Sequence, residues 1–259
     1  MLTNKYAYAF VTALALLLGA GGSFANEGGH AGWARPADNE VANLPSLQRG
    51  VRNFMNYCSG CHSLKYIRYS RVAEDLKIPD NLRDEFLVKP GAKFSDYIKS
   101  SMPEKDAVDW FGKAPPDLSL VARSRGSDWV FNFLNTFYAD PASRQTGVNN
   151  LQFPQTAMPH VLASLQGVQG AVWKDVEHKG EGGKVEHTRE FEKFEAGVAG
   201  SLTPVKYDEF VRDTVNFLQY VSDPTQLERE GLGIWVVLFL LMFTGIAYML
   251  KKEYWKDVT

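Results

Sequence analysis

The chain has 259 residues, of which 45% are hydrophobic and 22% charged, too apolar for a disordered protein and long enough to bury a sizeable core. A formal net charge of -2 leaves no strongly basic balance, so no nucleic acid is expected as a partner. Two cysteines are too few for a disulfide scaffold.

The first element in chain order is a targeting signal. Lys5 supplies a positive start, Ala9 to Leu18 an apolar run, and Ser23-Phe24-Ala25 a small-x-small cleavage site. Residues 1–25 are therefore expected to be a signal peptide, with a mature start near Asn26. A retained membrane helix is the weaker reading, because the apolar run is short and Gly19, Gly21 and Gly22 interrupt it.

The stretch SLQRGVRNFMNYC places Leu47, Val51, Phe54, Met55 and Cys58 at helical spacing, so the cysteines sit at the end of a helix. Both fall within Cys58-Ser59-Gly60-Cys61-His62, the C-x-x-C-H pattern of covalent c-type haem attachment. Two thiols add to the two vinyl groups of haem as thioethers, and the adjacent His62 imidazole can bind iron. The competing readings are a thiol–disulfide redox pair and a structural disulfide. A redox pair prefers a helix N-terminus and a βαβ setting, and neither is found here.

A haem iron held by one histidine leaves a sixth site, for which Met102, Met158 and the histidines at 30, 160, 178 and 187 are candidates. Methionine would raise the reduction potential. Met158 lies in a proline-bounded loop, Phe153 to His160, whose restricted φ angles could hold a thioether in place. Met102 also precedes a proline but is followed by the charged run Glu104-Lys105-Asp106, and the choice stays open on residue types alone. Arg123 and Arg125, closing the segment APPDLSLVARSRG, could serve the negative haem propionates, although isolated arginines are mostly surface charge.

Ser127 and Asp128 are expected to cap a helix carrying Val130, Phe131, Leu134, Phe137 and Tyr138, stopped by Asp140-Pro141. Lys174 to Gly197 is charged and Gly-rich, a mobile surface excursion with a possible hairpin in Lys174 to His187, which makes His178 and His187 ordinary exposed side chains. Thr203-Pro204 opens a further helix with Tyr207, Phe210, Val211, Phe217, Leu218 and Val221 on one face, ending at Asp223-Pro224. Leu232 to Leu250 is uncharged and long enough as a helix to cross a bilayer. Lys251, Lys252 and Lys256 follow it and place the tail, 251–259, in the cytoplasm, with Trp235 and Tyr248 at the interfaces.

Residues 26–231 are then a periplasmic haem domain, with 24 Lys and Arg against 28 Asp and Glu. That balance attracts a basic partner. The fold expected is mainly α: a domain like that of class I cytochromes c with long loops, plus one C-terminal transmembrane helix in contact with lipid.

NYCSGCHSLKYIRYSR, PGAKFSDYI, APPDLSLVARSRG with DWVF after it, the TAMP loop and the C-terminal anchor together resemble the cytochrome c1 family, the haem subunits of ubiquinol–cytochrome c oxidoreductase, in a bacterial form. The resemblance implies one covalent haem c, with His62 and Met158 as axial ligands and Cys58 and Cys61 as attachment points. It further implies Arg125 at a propionate, Trp129 close to it where relatives often have tyrosine, and Pro116 lining the haem pocket. It implies cytochrome b, a Rieske iron–sulfur protein and a cytochrome c as partners, in a dimeric complex. Two departures stand out. No cysteine lies outside CSGCH, so no second bridge braces the domain, and the acidic insertions of some relatives before PPDLS are short or missing.

The function expected is one-electron transfer from the Rieske protein to cytochrome c, as a subunit of an enzyme whose bond chemistry lies elsewhere. The rival within electron transfer is a membrane-anchored cytochrome c feeding a terminal oxidase directly. A haem peroxidase would need an open iron site and a second haem or distal catalytic groups, and there is one C-x-x-C-H.

Overall fold

Asn43 starts the first helix by accepting a hydrogen bond from the Ser46 amide, and Pro45 in the first turn has no amide left to satisfy. Helix α1, Leu44–Tyr57, buries Leu47, Gly50, Val51 and Phe54 on one face and ends at Cys58. The structure is a computed structural model that describes residues 33–143, 146–179 and 185–257, giving the backbone alone for 177–179 and 185–187. The expected signal peptide lies outside the described residues.

Next come β1 (Leu64–Arg68), α2 (Tyr69–Asp75), β2 (Tyr97–Ile98), α3 (Glu104–Phe111), α4 (Val121–Ser124) and α5 (Ser127–Asn135). They are followed by β3 (Phe137–Ala139), β4 (Val148–Asn150), α6 (Ala163–Gln166), β5 (Gly167–Lys179), β6 (Val185–Ala199), α7 (Pro204–Ser222) and α8 (Gln226–Tyr254). The strands pair antiparallel as β1–β2, β3–β4 and β5–β6, so the domain is mainly helical with small two-stranded ribbons.

Helices α1 and α7 make the frame. They meet at Gly50, where a Cβ would lie 2.1 Å from the Asp213 carbonyl oxygen and 2.6 Å from Phe217 Cβ, so only glycine permits the approach. Around that point Asp213 accepts from Ser46 Oγ at 2.6 Å and from both Nε and Nη2 of Arg49, while Phe54 packs on Phe217 at 5.8 Å between centroids. Thr203 caps α7 by accepting from the Lys206 amide, and Tyr207, Val211, Phe217, Leu218 and Val221 are buried as the periodicity predicts. Asp223 ends it, also as expected.

Three expectations are corrected. The N-cap of α5 is Gly126 rather than Ser127 or Asp128; Asp128 accepts from the Ala37 amide instead, and Ser127 donates to Gln219. That helix stops at Asn135, because the Asn135 and Thr136 side chains bond back to the Phe131 and Asn132 carbonyls, and Phe137 and Tyr138 go into β3. The charged excursion is a hairpin that begins at Gly167 and returns to Ala199, much longer than Lys174 to His187. Its pattern hides because Glu192 and Gly197 are extra residues that break the pairing, leaving Phe191 and Phe194 three apart yet in contact at 4.7 Å.

Helix α8 has 29 residues, about 44 Å at 1.5 Å per residue, with a mean hydropathy of 2.2 over its most apolar window and no buried side chain. It is long and apolar enough to cross a membrane.

Candidate haem site

At the C-terminus of α1 the chain turns tightly over one carbonyl. The amides of Cys61 and His62 both donate to Cys58 O, at 3.1 and 2.8 Å, which gathers the two thiols and the imidazole within one turn. Ser59, fully inside, closes that turn by donating its hydroxyl to Met55 O at 2.8 Å. No disulfide joins Cys58 and Cys61. Burial and the neighbouring Cys61 push the Cys58 thiol up to about 12, the opposite of the lowered value a redox-active thiol needs.

His62 is buried, and its Nδ1 donates to the Pro116 carbonyl at 2.8 Å. A bond at Nδ1 fixes the tautomer and leaves the Nε2 lone pair as the metal donor. Burial pushes the His62 imidazole below its ordinary pKa, against the opposing effects of Pro116 O and Asp117, so the ring is neutral, as a ligand must be.

The segment that carries Pro116 is stitched to the residues after CSGCH. Leu118 N donates to Ser63 O, Lys65 N to Asp117 Oδ2, Ser119 N to Asp117 Oδ1 and Tyr66 N to Ser119 Oγ. These bonds give APPDLS a mechanical reason: the run holds the carbonyl that orients His62. Pro116 itself is exposed, and its contact with the site is through that carbonyl rather than its ring. On the other side Lys89 Nζ donates to Ser59 O and to Lys99 O, and Met102 N donates to Gly60 O, so β2 and the start of α3 brace the same turn.

Met158 is partly buried and packs against the core. Cys58, Leu118, Val121, Trp129 and Phe133 are likewise among the apolar side chains that pack on the core while keeping part of their surface. Met102 is not among them. The start of the Met158 loop is pinned by side chains of β4: Phe153 N donates to Asn150 Oδ1 and Gln155 N to Asn149 Oδ1, while Met158 N donates within the loop to Thr156 Oγ1. Asn150 is completely buried and donates to Phe133 O at 2.7 Å.

Arg125 is exposed at the end of α4, with its guanidinium 5.2 Å from the Trp129 ring centroid. Trp129 stacks on Phe133 at 5.3 Å and 5°. His160, a candidate ligand from residue type, is engaged elsewhere: its ring stacks on Phe137 at 5.0 Å and its Nε2 donates to Gly167 O at 3.2 Å. The side chains of His178 and His187, and all of His30, lie outside the described residues.

An oriented imidazole beside two thiols is a donor set whose chemistry fits a c-type haem. Sequence reasoning missed Lys89, Asn149, Asn150 and Thr156, for their role is hydrogen bonding to main chain, which no local pattern announces. Buried asparagines close to a proline-rich loop are the one available sign.

The family model described as the Cytochrome C1 family matches residues 39–169 and 197–258, leaving out most of the β5–β6 hairpin. The chain is 47% identical over 222 residues to a cytochrome c1 of Allochromatium vinosum, covering 86% of this chain and 88% of that protein. It is 41% identical over 217 residues to an ammonia monooxygenase gamma subunit of Nitrosomonas europaea, covering 84% and 85%. It is also 28% identical to a cytochrome b/c1 of Bradyrhizobium diazoefficiens over 82% of this chain and 33% of that longer protein.

Proposed function

The chain belongs to the Cytochrome C1 family, the haem electron-transfer subunits of bc1 complexes, and from that premise we propose that it carries single electrons from a Rieske iron–sulfur protein to a cytochrome c. The observation that carries this reading is the His62 Nδ1 to Pro116 O bond, which readies Nε2 as an iron ligand next to the two attachment thiols.

One haem c would be held by thioethers at Cys58 and Cys61, with His62 and Met158 as axial ligands. When bound, its iron takes up and gives up one electron. The residues of this chain set the conditions. Met158 would supply a thioether, which favours the reduced state, and the partly buried Leu118, Val121 and Phe133 would offer apolar surface to the ring. Arg125 and Trp129 stand at the exposed edge, where a guanidinium and an indole N–H can bind a propionate.

The same reading gives the topology. Residues 1–25 are removed on export, 26–231 lie in the periplasm, 232–250 span the inner membrane with lipid around them, and 251–259 are cytoplasmic. Cytochrome b is the membrane partner, and the assembly is dimeric.

Purification in mild detergent tests the proposal. The haem-bearing chain should co-elute with a cytochrome b and a Rieske protein, and added quinol should reduce it within that complex. Isolation with a terminal oxidase and no Rieske protein would contradict it.

A further inference from the structure

We infer that His160 is a positioning residue that locks the Met158 loop in place, clamped to the base of the β5–β6 hairpin and to the aromatic column that begins at Arg125. The inference rests on the reading of Met158 as an iron ligand. Its own evidence is separate.

Between Thr156 and Ala163 the main-chain bonds of the loop are local: Met158 N to Thr156 Oγ1, Val161 N to Pro159 O, Ala163 N to His160 O. Local bonds shape a loop without anchoring it. Further on, Ser164 O and Leu165 O accept from the Ser201 and Leu202 amides and Gln166 donates to Asn135 O, whereas nearer Met158 the ties are the buried Thr156 and Leu162 and the His160 ring. That ring lies nearly parallel to Phe137, 4° off and 5.0 Å away, while its Nε2 donates to Gly167 O. Pro159 stands between it and Met158. Because proline fixes φ, Met158 and His160 move together, and a ring held on two sides holds the thioether as well.

Both anchors of His160 are themselves rigid. Gly167 has φ +90, and a Cβ there would lie 2.2 Å from Val198 O and 2.6 Å from Gly200 N, so its carbonyl is fixed where no side chain is tolerated. Gln169 Nε2 bonds Asn135 O and Phe137 O, joining the hairpin base to the strand that carries Phe137. Phe137 packs edge-on against Phe133 at 5.1 Å, and Phe133 stacks on Trp129 below Arg125. Arg125 and His160 are thus joined by one run of rings, Trp129, Phe133 and Phe137. With no cysteine outside CSGCH, this run does the bracing that a covalent bridge would do.

Imidazole titration of the oxidised, haem-loaded full chain in detergent tests the clamp. Added imidazole reaches the iron only when the methionine has left, so its apparent affinity reports the open fraction of the loop. His160→Phe keeps the ring and the stack and removes the donor. It should bind imidazole about tenfold more tightly than the parent, as expected for loss of an orienting partner of a ligand, with a weakened methionine-to-iron charge-transfer band. His160→Gln, which can still donate, should fall between the two. If His160→Phe titrates at the parent's midpoint with its band intact, the clamp is refuted. Met158→Leu separates the two ideas. Loss of its band with haem attached upholds the ligand, whereas a retained band with the parent's midpoint removes the reading on which the clamp depends.

Discussion

The two walls of the haem site are built in different ways. The His62 wall is short-range: CSGCH turns over the Cys58 carbonyl, and one contiguous run, Pro116 to Ser119, is laced to the residues that follow the motif. The Met158 wall is long-range: asparagines from β4, the Phe137 ring and the Gly167 carbonyl converge on a loop with little structure of its own. In the proposed reading the permanent attachment falls where geometry is dictated locally. Met158, the proposed ligand that would tune the potential, depends on tertiary packing and is the side that mutation can loosen by degrees.

Substitution of each axial ligand should show that asymmetry most strongly. His62→Ala should abolish the low-spin haem spectrum altogether, whereas Met158→Leu should keep an attached haem, lose the methionine-to-iron band and lower the midpoint potential. Redox titration with optical detection checks both, and equal spectra for the two variants would erase the distinction between the walls.

Next in size is the chemistry of Cys58 before haem is attached. Its thiol is pushed from 9.0 to about 12 by burial, so the protonated form persists at neutral pH and the thiolate gains ground only in strong alkali. At pH 8 the haem-free chain should be alkylated at Cys58 far more slowly than an exposed cysteine, because burial holds it as the thiol. Peptide mapping after iodoacetamide treatment reads this, and rapid labelling at pH 8 would mean the turn around Cys58 is open.

Smaller effects separate the two sets of pins. Asn150→Ala leaves the Phe133 carbonyl and the Phe153 amide short of a partner, at a cost of about 2–3 kcal/mol. Asp117→Ala removes two amide bonds closer to solvent and should cost about 1–2 kcal/mol. Denaturant unfolding gives both values, and the methionine band should weaken in the first variant and not in the second. The smallest effect is on docking. An excess of acidic residues between 26 and 231 predicts that transfer to a basic cytochrome slows as salt rises. Rates unchanged from low to high ionic strength would remove charge from the account of docking.

The same contrast explains what the sequence discloses. The attachment site is legible because Cys58, Cys61 and His62 must be neighbours for the chemistry to work, and α1, α7 and the apolar helix follow from unbroken helical periodicity. The end of α5 was not legible, for Phe137 continues the helical spacing while the Asn135 and Thr136 side chains end the helix. The hairpin escaped because bulges at Glu192 and Gly197 spoil alternation. The supports of Met158 were hidden for a related reason: Asn149, Asn150 and Gly167 act through single hydrogen bonds made possible only by the tertiary fold.

Acid–acetone extraction followed by a reduced-minus-oxidised spectrum tests the central claim most directly. The account predicts that the haem colour stays with the polypeptide, bonded at Cys58 and Cys61. A colourless protein, with haem in the solvent and both thiols free, would contradict it.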